Sequence, residues 1–364
     1  MTTRAHFPAA LLAIASATLA AGCAAPAPRE APHPPDRQAA HRAACQPKLL
    51  CPYAPWYQHT YRHGAVPTRE AQQRMREWYA SHAAGAVPNV MSFGGGIDGI
   101  GVTSGTPRVY LVFFGSQWLS GGDPQAAAAY LQSLFTGLGT GGEQWSGTMT
   151  QYCDGVQVPK AATSCPGGAA HVGYPGGGAL AGVWFDSAVL SPDSTTPAQL
   201  AAEAVNAARH FGNTSTSSNR YALYFIVSPA GTHPDGFNTP GSNFCGWHDF
   251  TRSSFGDIAY TNLPYVSDQG ANCGANFVNS GPGGALDGFS IVGGHEYAET
   301  VTDQFPPGGW TNAETGEENG DECAWIATGH GASANVSMGN GAYAMQSTWS
   351  NDTNECDISH AILP

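Results

Sequence analysis

Lysine is nearly absent from this chain of 364 residues, which contains only Lys48 and Lys160. Charged residues make up 11% of the sequence, and 27 acidic residues outnumber 14 Lys and Arg residues, so the formal net charge is −13. Nucleic-acid binding depends on clustered basic side chains that neutralise phosphates. Because the sequence contains no such cluster, we exclude nucleic acid as a partner.

Several short motifs are also missing. No C-x-x-C spacing occurs, which argues against a thiolate zinc site. The G-x-S-x-G elbow of many serine hydrolases is absent as well, so a serine triad stays a minor alternative. A glycine-rich stretch at 93–101 precedes neither a helix nor a Lys-Ser/Thr pair, and is therefore not a phosphate loop.

The N-terminal apolar segment is short and is typical of an export signal. Arg4 supplies a positive end, and residues 9–21 form an apolar core that is too short to span a membrane. We expect a signal peptide over residues 1–22. The sequence Leu19-Ala20-Ala21-Gly22-Cys23 resembles a bacterial lipoprotein cleavage box, with the leucine one place too early. The expected protein is exported and is either anchored at the cell surface or outer membrane through lipidated Cys23, or cleaved normally and secreted.

Nine cysteines are present, and removing Cys23 leaves an even number that suits an oxidising compartment. Proximity in sequence favours four local disulfides, although many other pairings are open. The favoured pairs are Cys45–Cys51, Cys153–Cys165, Cys245–Cys273 and Cys323–Cys356.

Composition divides the rest of the chain into three parts. Residues 23–43, rich in Pro, Ala and Arg, indicate a flexible tether. Residues 44–105 indicate an N-terminal extension packed on the body, or a pro-segment that covers the active site until it is removed. Residues 106–364 form the main domain, which is long enough to bury a sizeable core.

Alternating patterns in the main domain predict an α/β fold: a mixed sheet flanked by helices and stapled by disulfides. Buried strands are expected at 107–115 and 221–227, an edge strand at 258–263 and a closing strand at 342–349. Helices are expected at 124–138, after Asp123, and at 197–211, after a Ser-Thr-Thr capping run. Residues 244–248 are predicted to begin a loop.

The strongest chemical pattern lies at residues 293–303, on a helix that we expect to open at Asp287. Residues four apart share a helix face, so His295 and Glu299 point the same way, with Glu296 rotated off that line. This is the zincin pattern H-E-x-x-H with the second histidine replaced by glutamate; its outer residues hold zinc and the inner Glu is the general base. Because one ligand is a carboxylate, the site can also bind calcium or manganese. The alternative is a helix with ordinary His and Glu hydrogen bonds.

Two glycines, Gly293 and Gly294, precede this histidine within the helix. Each costs about 1 kcal/mol relative to alanine there, which suggests that a strand or a substrate approaches the helix backbone closely.

A third ligand must come from outside this face of the helix. Asp303 lies eight residues beyond His295, or roughly 12 Å along a straight helix, too far to share an ion. The acidic run that ends at Cys323 is better placed, and Asp321, then Glu318, is the predicted third ligand. Alternatively, this run is a solvated turn or a calcium site. His248 is a further candidate, either as a transition-state donor, a metal ligand or a structural histidine.

Four segments in order carry a family resemblance. They are the strand Val-Tyr-Leu-Val-Phe-Phe-Gly at 109–115, Cys-Gly-Trp-His at 245–248, His-Glu-Tyr-Ala-Glu-Thr-Val-Thr-Asp at 295–303 and Glu-Asn-Gly-Asp-Glu-Cys-Ala-Trp at 318–325. Over roughly residues 106–357 the chain resembles the bacterial branch of the phosphate-induced protein 1, or exordium-like, family. The resemblance implies secretion and a single fold, and its matched positions are His295, Glu296, Glu299, Glu318 and Asp321. The lipoprotein-like start, the extension and the segment Asp303-Gln304-Phe305-Pro306-Pro307 depart from the plant pattern.

We therefore expect a zinc metalloendopeptidase of the cell surface that acts on protein or peptide as a monomer. His295, Glu299 and Asp321 would hold the ion and Glu296 would act as base. The alternatives are a non-catalytic exordium-like surface protein with a structural calcium or other metal site, and a serine or other hydrolase.

Overall fold

The computed structural model describes residues 64–82, 90–313 and 315–364. The predicted signal, Cys23, the tether and the Cys45–Cys51 pair lie outside the described residues. The strands are β1 (Ala65–Pro67), β2 (Met91–Phe93), β3 (Arg108–Phe114), β4 (Cys153–Asp154), β5 (Ala170–His171), β6 (Leu180–Asp186), β7 (Ala222–Val227), β8 (Phe244–Ser253), β9 (Gly256–Leu263), β10 (Trp310–Asn312), β11 (Ala334–Met338), β12 (Gly341–Met345), β13 (Thr348–Ser350) and β14 (Glu355–Asp357). The α-helices are α1 (Arg69–His82), α2 (Ala127–Gly137), α3 (Pro197–His210), α4 (Thr216–Asn219) and α5 (Asp287–Thr302).

Six strands form the main sheet in the order β1-β8-β9-β7-β3-β6. The four strands β6, β3, β7 and β9 are parallel. At one edge β8 pairs antiparallel with β9, and β1 pairs antiparallel with β8. Strand β3 has neighbours on both sides and helices over both faces, which explains why its apolar run is almost continuous. The predicted mixed α/β architecture is confirmed.

Successive side chains of each strand point to opposite faces of the sheet, so each face has its own core. On one face, Leu111 and Phe225 share a core with Phe135 of α2 and Ile291 of α5. On the other face, Val112 and Ile226 pack with Leu200 and Ala204 of α3. Trp247 of β8 belongs to the α3 face. Its neighbours Gly246 and His248 therefore face α5.

Three predicted elements were wrong. Residues 244–248 begin strand β8 and not a loop, because their backbone pairs with both β9 and β1. Strand β9 is internal and not at the edge, since β8 lies outside it. The closing strand predicted at 342–349 is divided into β12, which pairs with β11, and β13, which pairs with β14.

Other predicted elements were confirmed. Helix α2 begins at Ala127, three residues after the predicted start, and Asp123 stabilises this start by accepting hydrogen bonds from the backbone N–H groups of Ala127 and Ala128. Helix α3 opens with a reciprocal capping box between Thr196 and Gln199. The pairs Cys153–Cys165, Cys245–Cys273 and Cys323–Cys356 are disulfide-bonded, with S–S distances of 1.99, 1.97 and 2.00 Å.

The described part of the N-terminal extension packs on the body. Strand β1 extends the sheet beyond β8, with Ala65 opposite Trp247 and Val66 opposite Gly246. Strand β2 pairs with β10, and Met91 and Phe93 belong to the main core. Within the described residues, no helix combines the length and the apolar composition that crossing a bilayer requires.

Candidate metal centre

Helix α5 lies in the centre of the molecule, and all sixteen of its residues are buried. A Cβ on Gly294 would meet Met345 Cε of β12 at 2.5 Å, but this atom is the end of a flexible side chain and a small shift of Met345 would relieve the contact. A Cβ on Gly293 would meet only ordinary contacts at 3.6 Å or more. Asp287 is the first helical residue and not the predicted N-cap. Its carboxylate accepts hydrogen bonds from the backbone of Val278 and Asn279 in the preceding loop.

The first group of possible metal ligands contains His295, Glu299 and Asp321. His295 Nε2 lies 2.8 Å from Glu299 Oε1 and 3.5 Å from Asp321 Oδ1. Asp321 lies in a short 3-10 turn, Asp321–Cys323, which the disulfide to Cys356 ties to β14. The Asp321 backbone N–H also donates to Glu299 Oε1 at 3.0 Å. The acidic run therefore returns to the helix, as the sequence suggested.

Gln346, just after β12, orients the imidazole of His295. Its Oε1 lies 3.0 Å from His295 Nδ1, and its Nε2 donates to the carbonyl oxygens of Gly320 and Ser347. Because Gln346 Oε1 can only accept, His295 Nδ1 carries the proton. Nε2 therefore faces Glu299 and Asp321, and its lone pair becomes available to the group when a metal ion displaces the proton on Nε2; a fixed Nδ1–H is typical of metal-binding histidines.

A second group contains His248, Glu299 and Glu318. His248 Nε2 lies 3.2 Å from Glu318 Oε2 and 3.7 Å from Glu299 Oε2. In each group, one ligand atom from each residue lies within 4.8 Å of the other two. Glu299 belongs to both groups, through a different oxygen in each.

The carboxyl group of Glu296 points to β8 and β1. A Cβ on Gly246 would come within 3.0 Å of Glu296 Oε1. The residue is 0% exposed, and neither carboxyl oxygen makes a well-aligned hydrogen bond. Burial raises the pKa of Glu296 well above its usual range; the charge of His295 and the Val66 backbone oppose this rise, and Glu299 and Asp321 add to it.

Asp303 belongs to neither ligand group. Its Oδ1 accepts a hydrogen bond from the Gly309 backbone N–H, which fixes the chain where α5 ends. Burial raises the pKa of Asp303 to about 7, although hydrogen bonds from the Gly309 and Gly308 backbone lower it.

The electrostatics of the two groups favour a bound cation. Burial, followed by the charges of Asp303 and Glu299, raises the pKa of Glu318 well above its usual range. Burial lowers the pKa of His295, but Glu299 and Asp321 outweigh it and raise that pKa well above its usual range. Among the described residues, no lysine or arginine forms an ion pair with Glu296, Glu299 or Glu318. A divalent ion would supply the missing positive charge.

The ligand atoms also fit zinc by distance and by type. Four ligand atoms at about 2.0–2.2 Å around tetrahedral zinc are roughly 3.3–3.6 Å from one another. The measured separations of 2.8–3.7 Å span that range. Glu299 Oε2 and Glu318 Oε1 are buried and accept no hydrogen bond, so both have lone pairs to offer. Histidine nitrogen in each group favours zinc or manganese over calcium, which prefers oxygen ligands.

A third group, His330, Glu355 and Asp357, lies at the surface. His330 Nε2 is 2.6 Å from Glu355 Oε2, and the side chains of these two residues are 64% and 57% exposed. Exposed pairs of this kind are common and contribute little to stability.

Sequence reasoning did not identify two features of the centre. No motif marks Gln346, because its contact with His295 joins positions 51 residues apart. His248 and Glu318 were individually singled out, but their pairing depends on strand β8, which was predicted as a loop. Comparison of the chain with protein-family models, with curated proteins and with solved structures gave no match.

Proposed function

We propose that this protein is an exported, metal-dependent endopeptidase whose ion is held by His295, Glu299 and Asp321. The observation that carries the proposal is the 2.8 Å and 3.5 Å approach of His295 Nε2 to the Glu299 and Asp321 carboxylates, beside the buried carboxyl of Glu296. When bound, zinc would acidify a water molecule and polarise a peptide carbonyl. Three disulfides suit an oxidising compartment, which supports export.

The protein's own residues would perform three tasks. His295, with its tautomer fixed by Gln346, offers the Nε2 lone pair, and Glu299 and Asp321 each offer a carboxylate oxygen. Glu296 would accept the proton of the attacking water on a carboxylate oxygen and pass it to the leaving amine. A raised pKa suits a carboxyl group that must both accept and donate a proton near neutrality.

Complete burial of the centre restricts when it can act. His248, His295, Glu296, Glu299 and Glu318 are all 0% exposed. Strand β1 pairs with β8 at the edge of the sheet, next to the centre. It belongs to the N-terminal extension, which the sequence predicted either to pack on the main domain or to be a removable pro-segment. We therefore propose that β1 must move, or be cut away, before a peptide reaches Glu296.

The same burial supports a second candidate function. A closed metal site typically stabilises a fold, whereas a catalytic site keeps an open position. The chain would then be a non-catalytic surface protein of the exordium-like kind, and its metal would be a structural ion that stabilises the fold.

Metal removal and limited proteolysis test the proposal together. The full chain and the chain nicked after α1 are each assayed on a broad protein substrate such as casein, before and after treatment with a chelator. The proposal predicts hydrolysis by the nicked form that chelation abolishes and zinc restores. Metal binding without hydrolysis in either form would favour the non-catalytic protein with a structural metal.

A further inference from the structure

We propose that Glu299 bridges two divalent cations, the second of which is held by His248 and Glu318. The proposal rests on the metal site proposed above, because Glu299 is shared, and it adds a cation that the single-ion zincin pattern does not include. A two-metal centre in a hydrolase stabilises both the attacking and the leaving groups of the reaction.

Each oxygen of Glu299 faces a different histidine. Oε1 lies 2.8 Å from His295 Nε2, and Oε2 lies 3.7 Å from His248 Nε2. Each histidine also approaches a second carboxylate, Asp321 at 3.5 Å and Glu318 at 3.2 Å. The result is two His–carboxylate pairs on either side of one carboxylate, which is the ligand arrangement of a bridged pair of ions about 3.5–4 Å apart.

Charge supports two ions over one. Glu296, Glu299, Asp303 and Glu318 are all 0% exposed. The carboxylates of the two ligand groups are Glu299, Glu318 and Asp321. One divalent cation balances only two of these three carboxylates, and a second cation balances the third. An unpaired buried carboxylate is strongly unfavourable, so the second cation removes a large penalty.

Unused ligand atoms point to the second position. Glu299 Oε2 and Glu318 Oε1 are buried without a hydrogen bond. The backbone of Gly64 packs closely against His248 and Glu299, and any side chain at position 64 would displace these two ligand atoms. A Cβ there would lie 2.1 Å from His248 Nε2 and 2.4 Å from Glu299 Oε2.

Metal counting on single variants tests the bridge. The full chain, produced with its disulfides, is equilibrated with zinc, freed of loosely held ions, and analysed by mass spectrometry for zinc and protein. We expect two ions in the wild type, one in Glu318→Gln, one in His248→Ala and one in Asp321→Asn. Glu299→Gln should lose both. His330→Ala is the control, since it removes the exposed surface group, and it should retain two.

The outcomes separate this inference from the proposed function. One ion in the wild type that survives His248→Ala but is lost in Asp321→Asn would overturn the second cation and leave the metallopeptidase intact. No bound ion would overturn both. Loss of one ion in His330→Ala would place the second ion at the surface and overturn the bridge.

A spectroscopic measurement avoids reliance on variants that fail to fold. Wild-type protein is loaded with one and then two equivalents of manganese(II) and examined by electron paramagnetic resonance. The bridge predicts that the second equivalent gives an exchange-coupled signal. Two independent manganese signals would contradict a shared carboxylate.

Discussion

Gly64 lies so close to the His248 imidazole that a methyl group on its Cα would fall 2.1 Å from Nε2. The same methyl group would be 2.4 Å from Glu299 Oε2. The backbone at the start of β1 thus closes the candidate metal centre, and it can do so only because residue 64 has no side chain.

Replacing Gly64 with alanine should release β1 from the edge of β8. The methyl group clashes with His248, and φ of +54° adds the roughly 1–2 kcal/mol that a left-handed backbone costs a residue with a Cβ. We expect trypsin to cut at Arg69 much faster than in the wild type, as measured by mass spectrometry of a proteolysis time course.

The matched control for that variant is Gly142→Ala. Gly142 has φ of +75°, but a Cβ there would meet nothing within 4 Å. This variant carries the backbone cost without the clash, so cutting at Arg69 should stay at the wild-type rate. Equal rates in the two variants would show that β1 does not depend on the fit of Gly64 against His248.

Gln346→Leu should weaken metal binding by roughly 10–100-fold, the usual effect of removing a group that orients a ligand. The leucine cannot accept the hydrogen bond from His295 Nδ1, so the imidazole loses its fixed tautomer. Competition with a chromogenic chelator measures the change. Gln151→Leu is the control, because Gln151 is buried and hydrogen-bonded to Thr148, outside the ligand groups. The same loss in both variants would mean that Gln346 acts only through stability.

The disulfide Cys323–Cys356 should matter for metal affinity as well as for stability. Cys323 ends the turn that carries Asp321, and the bond to Cys356 holds this turn in place. The double serine variant should lose roughly 3–4 kcal/mol of unfolding free energy, and chelator competition should show weaker metal binding. The corresponding variant of Cys153–Cys165 should lose comparable stability and keep its metal affinity. Unchanged metal affinity in both variants would show that the disulfide does not position Asp321 for metal binding.

Glu203 in α3 predicts a pH dependence of stability. Burial raises the pKa of Glu203 to about 8; the hydrogen bond from Asn206 opposes this rise and the charge of Asp186 adds to it. Between the unfolded pKa of 4.5 and about 8, the native state binds more protons at this site than the unfolded state does. Stability should therefore fall as the pH rises, by at most ~1.4 kcal/mol per pH unit, and level off above about 8.

Denaturant unfolding of the wild type and of Glu203→Gln, at several pH values from about 5 to about 8, measures this contribution. Glutamine stays neutral, so the variant should have a shallower pH slope. Parallel slopes would show that Glu203 is ionised in the folded protein.

Much of the fold was predictable from local signals in the sequence. Asp123 and Thr196 mark the starts of α2 and α3, and the apolar runs of β3 and β7 indicate buried strands. Strand β8 was missed because its first five residues combine apolar, polar and glycine positions, and because long-range pairing with β9 and β1 defines it.

The candidate centre was predictable to a similar extent. Helical spacing placed His295 and Glu299 on one face, and the predicted disulfide Cys323–Cys356 indicated that Asp321 returns to that face. The approach of His248 to Glu318, across 70 residues, depends on tertiary structure alone. The contact with Gln346 is equally non-local, and no spacing rule reports it.

The hydrolytic activity and the metal content of Glu296→Gln, measured on the same nicked preparation, test whether Glu296 is the base of a metal-dependent hydrolysis. Glu203→Gln is the matched control, because it removes a buried carboxylate from α3 on the opposite face of the sheet. Glu296→Gln should keep the wild-type metal content and lose roughly 10²–10⁴-fold in hydrolysis, while Glu203→Gln keeps both. Hydrolysis by Glu296→Gln at the wild-type rate would show that Glu296 is not the base.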